Sequence, residues 1–180
     1  MAQRFSAASR LPERAAALAA EVLIAAPARG KTSYSTYFIT ASTFQKQNLF
    51  QSERFCLPFL DTLLQYRLKR KYLLHEFVIM PNHFHLLITP IFSLEKALQF
   101  IKGGFSYRAN KGLGFAGEIW QPSYYDHRVR DVEEYFAFRR YILQNPVKRG
   151  LVTAPEEYPY SSAFAGFVLD EIPERLRLSA

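Results

Sequence analysis

The chain has 180 residues, 49% of them hydrophobic and 16% aromatic, which suits one packed domain and excludes a disordered chain. Lys and Arg number 23 against 16 Asp and Glu, a formal charge of +7, so a polyanion is the first partner to consider, nucleic acid ahead of membrane. The single cysteine, Cys56, excludes a disulfide framework and a thiolate zinc site, no apolar run is long enough to span a bilayer, and the expected location is cytoplasmic.

Residues 15 to 26 are Ala-rich and follow Arg4, Arg10 and Arg14, as in a signal peptide. Glu13 and Glu21 break that pattern, so the expectation is an N-terminal extension over residues 1 to 30, helical or poorly ordered, with Pro12 near the first turn. Ala26 to Lys31 (APARGK) reads as a linker. The patterned domain is expected over residues 31 to 165, with a C-terminal tail over 166 to 180.

Tyr34 to Ala41 is rich in aromatic and β-branched residues and predicts a strand. Glu53 to Lys71 carries Leu60, Leu63, Leu64 and Leu68 at helical spacing, with Pro58 expected either in its first turn or at a kink. Tyr72 to Met80 and His83 to Thr89 predict two strands joined by a Pro81-Asn82 turn. Ser93 offers an N-cap to a helix bearing Leu94, Ala97, Leu98 and Ile101, which Gly103-Gly104 is expected to interrupt. One more strand is expected between Trp120 and Val129. Asp131 and Glu134 form a capping-box pattern for a last helix, expected to end near Asn145 because Pro146 disfavours helix in the residue before it. This order gives an α+β fold, an antiparallel sheet with helices packed on it.

Two of the chain's four histidines, His83 and His85, flank Phe84 in a strand. Strand side chains alternate, so both imidazoles point to one face and make a partial metal site. A bare pair of this kind is more often unliganded. Tyr141 and Asn145 are one helical turn apart, a phenol able to attack phosphorus beside an amide oxygen able to bind a hard cation. Taken singly, Tyr141 is one of eleven tyrosines and reads as a core aromatic, and Asn145 reads as a helix C-cap. Basic residues crowd these segments: Arg128 and Arg130 before the helix, Arg139 and Arg140 within it, and Lys148 and Arg149 after it. Lys102, Arg108 and Lys111 surround the glycine pair, which can admit a phosphate backbone, and Trp120 and nearby aromatics can stack on unpaired bases. The plainer reading is a solvated basic face over ordinary core aromatics.

HEFVIMPNHFHLLITP, KGGFSYR, IWQPSYYDHRVRD and YILQNPVKRGLV followed by YPYSS resemble, in collinear order from about Tyr34 to Ser162, the REP-associated tyrosine transposases. These are HUH single-tyrosine transposases, named for His-hydrophobic-His. The resemblance implies a ferredoxin-like sandwich and an HUH endonuclease domain. It implies a divalent ion, Mg²⁺ or Mn²⁺, at the positions of His83, His85 and Asn145, with Gln144 as the fallback, and a nucleophile at Tyr141. It further implies cleavage and rejoining of single-stranded or hairpin DNA through a 5′-phosphotyrosine link, by a monomer or a homodimer. The N-terminal extension is the departure from the family pattern.

Three other classes remain open. A histidine-triad hydrolase needs a third alternating histidine, where Leu87 stands. A domesticated protein can bind hairpins without cutting. An α+β module can bind RNA through sheet aromatics.

Overall fold

The computed structural model describes residues 34–177, so the expected N-terminal extension lies outside the described residues. The elements are β1 (Tyr37–Ser42), α1 (Glu53–Leu68), β2 (Tyr72–Met80), β3 (His83–Pro90), α2 (Leu94–Leu98), α3 (Gly104–Leu113), β4 (Tyr125–Arg128) and α4 (Val132–Lys148). The four strands form one sheet in the order β2-β3-β1-β4, with every neighbouring pair antiparallel. A β-α-β-β-α-β chain in this order is the ferredoxin-like α+β sandwich expected from the sequence, with α4 added after the last strand.

The two faces of the sheet are covered differently. On one face Phe84 of β3 meets Phe59 of α1 at 5.1 Å between ring centroids, and Phe59 meets Phe105 of α3 at 5.2 Å. Alternation puts Ile39, Ala41, Leu86 and Ile88 on that face, all buried. On the other face Phe38 of β1 stacks on Phe138 of α4 at 4.4 Å. Strands β2 and β3 are therefore buried on both sides, which explains their nearly unbroken apolar sequence.

Three local expectations need correction. Helix α1 ends at Leu68, short of Lys71, because Arg70 turns the chain into the left-handed region at φ 51°. Gly103-Gly104 does not break the helix that follows Ser93: Gln99–Gly103 forms a π-turn and α3 continues to Leu113. A Cβ on Gly104 would stand 2.5 Å from Tyr66 Cε2, so this glycine serves close packing of α3 on α1. Helix α4 does not stop at Asn145 but runs through Pro146 to Lys148. Tertiary packing along α4 overrides the local bias, and Asn145 sits inside the helix with 4% of its surface exposed.

Pro58 lies inside α1, beyond its first turn, and its carbonyl accepts from Thr62 Oγ1 at 2.7 Å. At the start of α4, Asp131 Oδ1 accepts from Glu134 N at 2.8 Å, the capping contact expected. The Glu134 carboxylate reaches the Arg130 backbone N–H at 3.0 Å and also binds the Arg130 side chain, outside the box pattern. The residues expected to form a C-terminal tail fold back as far as Arg177. Asp170 binds Arg67 at 2.7 Å and the Leu74 N–H at 2.8 Å, and Leu176 is fully buried.

Candidate active site

The second face of the sheet carries the polar row. Thr40 of β1 is the register partner of His85, and Ser42 is that of His83. Cross-strand partners share a face, so Thr40, Ser42, His83 and His85 stand together. The imidazoles lie 4.8 Å apart between centroids. Asn82 Oδ1 lies 2.7 Å from His83 Nδ1, and Thr40 Oγ1 lies 2.7 Å from His85 Nδ1. Burial, with Arg149 and Lys46 nearby, pulls His83 down to about 4. Burial, with His83 and Arg149, pulls His85 down to about 3. Both are therefore neutral at pH 7, the state in which imidazole can ligate a metal.

Helix α4 brings Tyr141 onto this row. Its ring lies 5.1 Å from that of His85 and 5.8 Å from that of Phe38, and 41% of the residue is exposed. Lys148 Nζ stands 5.7 Å from the Tyr141 ring centroid. The opening is a cleft of about 620 Å³ whose lining includes His83, His85, Tyr141, Arg149, Lys46 and Asn48. Tyr135, the other tyrosine of α4, has 1% of its surface exposed and faces His75 away from the cleft. Burial pushes its phenol well above the ordinary range.

Tyr141, Asn145 and Arg149 follow one another at four-residue spacing, on one stripe of the helix and its cap. The first and last line the cleft, and Asn145, buried, stands between them on that stripe. Asn145 Oδ1 and His85 Nε2 are both buried with no hydrogen-bond partner. Unpaired buried polar atoms cost about 1 to 3 kcal/mol each, and a cation is one partner that could serve both. Among the described residues no group of three His, Cys, Asp or Glu could hold a metal, and the donors on offer here would be two imidazoles and an amide. That set fits a divalent ion that keeps open positions. Gln144, the fallback donor, is half-buried.

Contacts outside the chemistry hold α4 in place. Glu76 of β2, buried, accepts from Arg139 Nε at 2.6 Å and from Ser162 Oγ at 2.6 Å. Arg139, read as a DNA contact, is thus engaged in an internal ion pair. Lys102 donates to the Gln121 carbonyl at 3.1 Å, and Arg108 binds Gln65. Trp120 donates from Nε1 to the Lys102 carbonyl at 3.0 Å and packs against Phe50, Phe59, Phe84 and Phe105. Lys111, Arg128, Arg140, Lys148 and Arg149 are exposed. Arg130 is exposed but paired with Glu134. Sequence reasoning missed Lys46, Thr40 and Glu76. Only Asn82, adjacent to His83, carried a signal, and it was read as turn chemistry.

The family model for IS200-like transposases matches residues 31–145. The chain belongs to this family. Within it, a REP-associated tyrosine transposase of Escherichia coli (strain K12) is 27% identical over 103 residues, covering 56% of this chain and 59% of the relative. A Haemophilus influenzae relative assigned to the same group is 29% identical over 108 residues, covering 53% of this chain and 61% of the relative. The matches thus span about three-fifths of the relatives' lengths. A solved structure described as a REP-associated tyrosine transposase bound to a REP hairpin superposes with a TM-score of 0.62 at 22% identity, over 87% of this chain and 96% of the other. Its likeness concerns the fold. No helix among the described residues is long and apolar enough to cross a membrane.

Proposed function

We propose that this chain cuts and rejoins single-stranded DNA at hairpin elements, in a metal-dependent reaction with Tyr141 as nucleophile. The observation that carries the proposal is the exposed Tyr141 ring 5.1 Å from that of His85, whose Nε2 is buried and unpaired. A divalent ion held by His83, His85 and Asn145 would supply Lewis-acid polarisation of a phosphate oxygen. The hairpin bound by the structurally similar protein supports hairpin DNA as the substrate class.

Tyr141 Oη attacks the scissile phosphorus. The Oη–P bond forms as the P–O3′ bond breaks, the phenol gives up its proton, and the departing 3′-oxygen takes one up. The products are a 5′-phosphotyrosine and a free 3′-hydroxyl. The phosphodiester is conserved in the protein-bound ester, so a second 3′-hydroxyl can displace Tyr141 and reseal the strand. Lys148 and Arg149 flank the phenol and meet the phosphate charge. Exposed Arg128, Arg140 and Lys111 extend that field for the rest of the strand, and His83 and His85 act as neutral donors.

The test is a labelled hairpin with a single-stranded flank, incubated with the protein and Mn²⁺ or with chelator. Cleavage with Mn²⁺ and none with chelator is the expected result. Binding with no cleavage under any metal would support a hairpin-binding protein that no longer cuts.

A further inference from the structure

An imidazole has two ring nitrogens, and only one can face a ligand while the other faces the protein. Asn82 Oδ1 lies 2.7 Å from His83 Nδ1. An amide oxygen only accepts, so this contact places the proton on His83 Nδ1 and leaves the lone pair on Nε2. Thr40 Oγ1 lies 2.7 Å from His85 Nδ1 and can either donate or accept. His85 Nε2 decides the case, since it is buried with no partner. A proton there would be a donor with nothing to receive it, whereas a lone pair there is what a cation takes.

We infer that Asn82 and Thr40 are positioning residues that hold both imidazoles in the Nδ1–H tautomer and turn both Nε2 lone pairs into the cleft, toward a divalent cation. The last step rests on the metal-site reading proposed above; the tautomer assignment does not. Both props are fixed by the sheet. Thr40 is the register partner of His85. Asn82 belongs to the turn between β2 and β3, and its carbonyl accepts from both Thr43 N and Thr43 Oγ1 at 2.9 Å. The turn is thereby tied to the end of β1, which sets where the Asn82 side chain can reach. Outer partners of this kind fix the ring orientation of metal-ligating histidines and make them better donors.

The test is a long-range ¹H–¹⁵N correlation spectrum of the imidazoles in metal-free full-length protein at neutral pH, with Mn²⁺ affinity measured separately by calorimetry. The wild type should show protonated Nδ1 and unprotonated Nε2 at both His83 and His85. Thr40→Val and Asn82→Leu should each mix the tautomers at the neighbouring ring and weaken Mn²⁺ binding by roughly 10- to 100-fold. Thr40→Ser and Asn82→Asp keep the oxygen and should restore both signatures, and they stand in if a larger change unfolds the protein. A protonated Nε2 on either ring of the wild type overturns the inference. So do Val and Leu variants whose tautomers and Mn²⁺ affinity match the wild type. Protonated Nδ1 on both rings with no Mn²⁺ binding would support the tautomer assignment and contradict the metal reading instead.

Discussion

The face of the sheet under α1 and α3 and the face under α4 are built by the same strands, yet they end in different states. Under α1 and α3, Phe59, Phe84 and Phe105 are fully buried and pack ring against ring. Under α4, Phe38 and Phe138 make one stacked contact and the packing then gives way to a cleft containing His83 and His85. The first face satisfies itself; the second leaves His85 Nε2 and Asn145 Oδ1 without partners. Reactive groups need unspent bonding capacity, and a core filled to normal density has none to offer. The division also separates the two roles of a substitution, since one face should control whether the protein folds and the other whether it cuts.

The largest expected effect breaks the comparison on the open side. His83→Ala combined with His85→Ala should reduce cleavage by roughly a thousandfold or more, because the cation's share of the barrier is several kcal/mol. Hairpin affinity, followed by gel shift, should change little. Mn²⁺-dependent cutting by the double variant would remove the histidines from the metal site. The matching change on the packed side is Phe59→Ala, which should cost about 3 to 5 kcal/mol of stability in denaturant unfolding, with cleavage lost only as the folded population falls.

Gly104→Ala sharpens the packed side further. The added methyl meets the Tyr66 ring, so either that ring or α3 must give way, and stability should fall by about 1 to 3 kcal/mol despite the better helix propensity of Ala. A gain in stability would mean that Tyr66 moves aside freely. The remaining prediction concerns pH. His83 and His85 titrate at about 4 and about 3 in the folded protein, below the about 6.5 of an unfolded chain. Their contribution is fully present above pH 6.5. As pH falls below it, the unfolded chain takes up protons that the folded one refuses. Stability of chelator-treated protein should therefore fall by at most about 1.4 kcal/mol per pH unit per histidine, levelling off once both are protonated in the folded state. Replacing both with Gln should flatten that slope in urea titrations from pH 7 to 3.

The packed face was largely legible in the sequence, because its helices and strands carry strong periodicity. The leucines of α1 and the Pro81-Asn82 turn stand where their local chemistry puts them, as does the Asp131 cap of α4 on the other face. The open face was legible only in part. The His83-Phe84-His85 alternation showed a shared face, and the spacing of Tyr141 and Asn145 showed a shared stripe. That the stripe meets the histidines depends on how α4 lies across the sheet, set by Glu76, Arg139 and Ser162 from three distant segments. Pro146 misled for a local reason, since the rule it obeys in isolated chains yields to packing along α4. Trp120 reads as an aromatic able to stack on bases and Lys102 as a basic residue beside the glycine pair; hydrogen bonds hold Lys102 to the Gln121 carbonyl and the Trp120 indole to the Lys102 carbonyl, which the sequence could not show. Lys46 carried no signal, because it reaches the cleft from the loop after β1, where both Gln45 and Lys46 adopt positive φ.

The central claim is that the open face presents one tyrosine to the scissile phosphate, and adduct mapping tests it most directly. A suicide hairpin whose upstream fragment, the one ending in the free 3′-hydroxyl, is too short to stay bound after cleavage should trap the protein as a covalent adduct of reduced gel mobility. Peptide mapping should place the DNA on Tyr141, and Tyr141→Phe should fold and bind the hairpin while forming no adduct. An adduct on Tyr124, Tyr125 or any other tyrosine, or one still formed by the Phe variant, would contradict the assignment and reduce α4 to a support for the metal site.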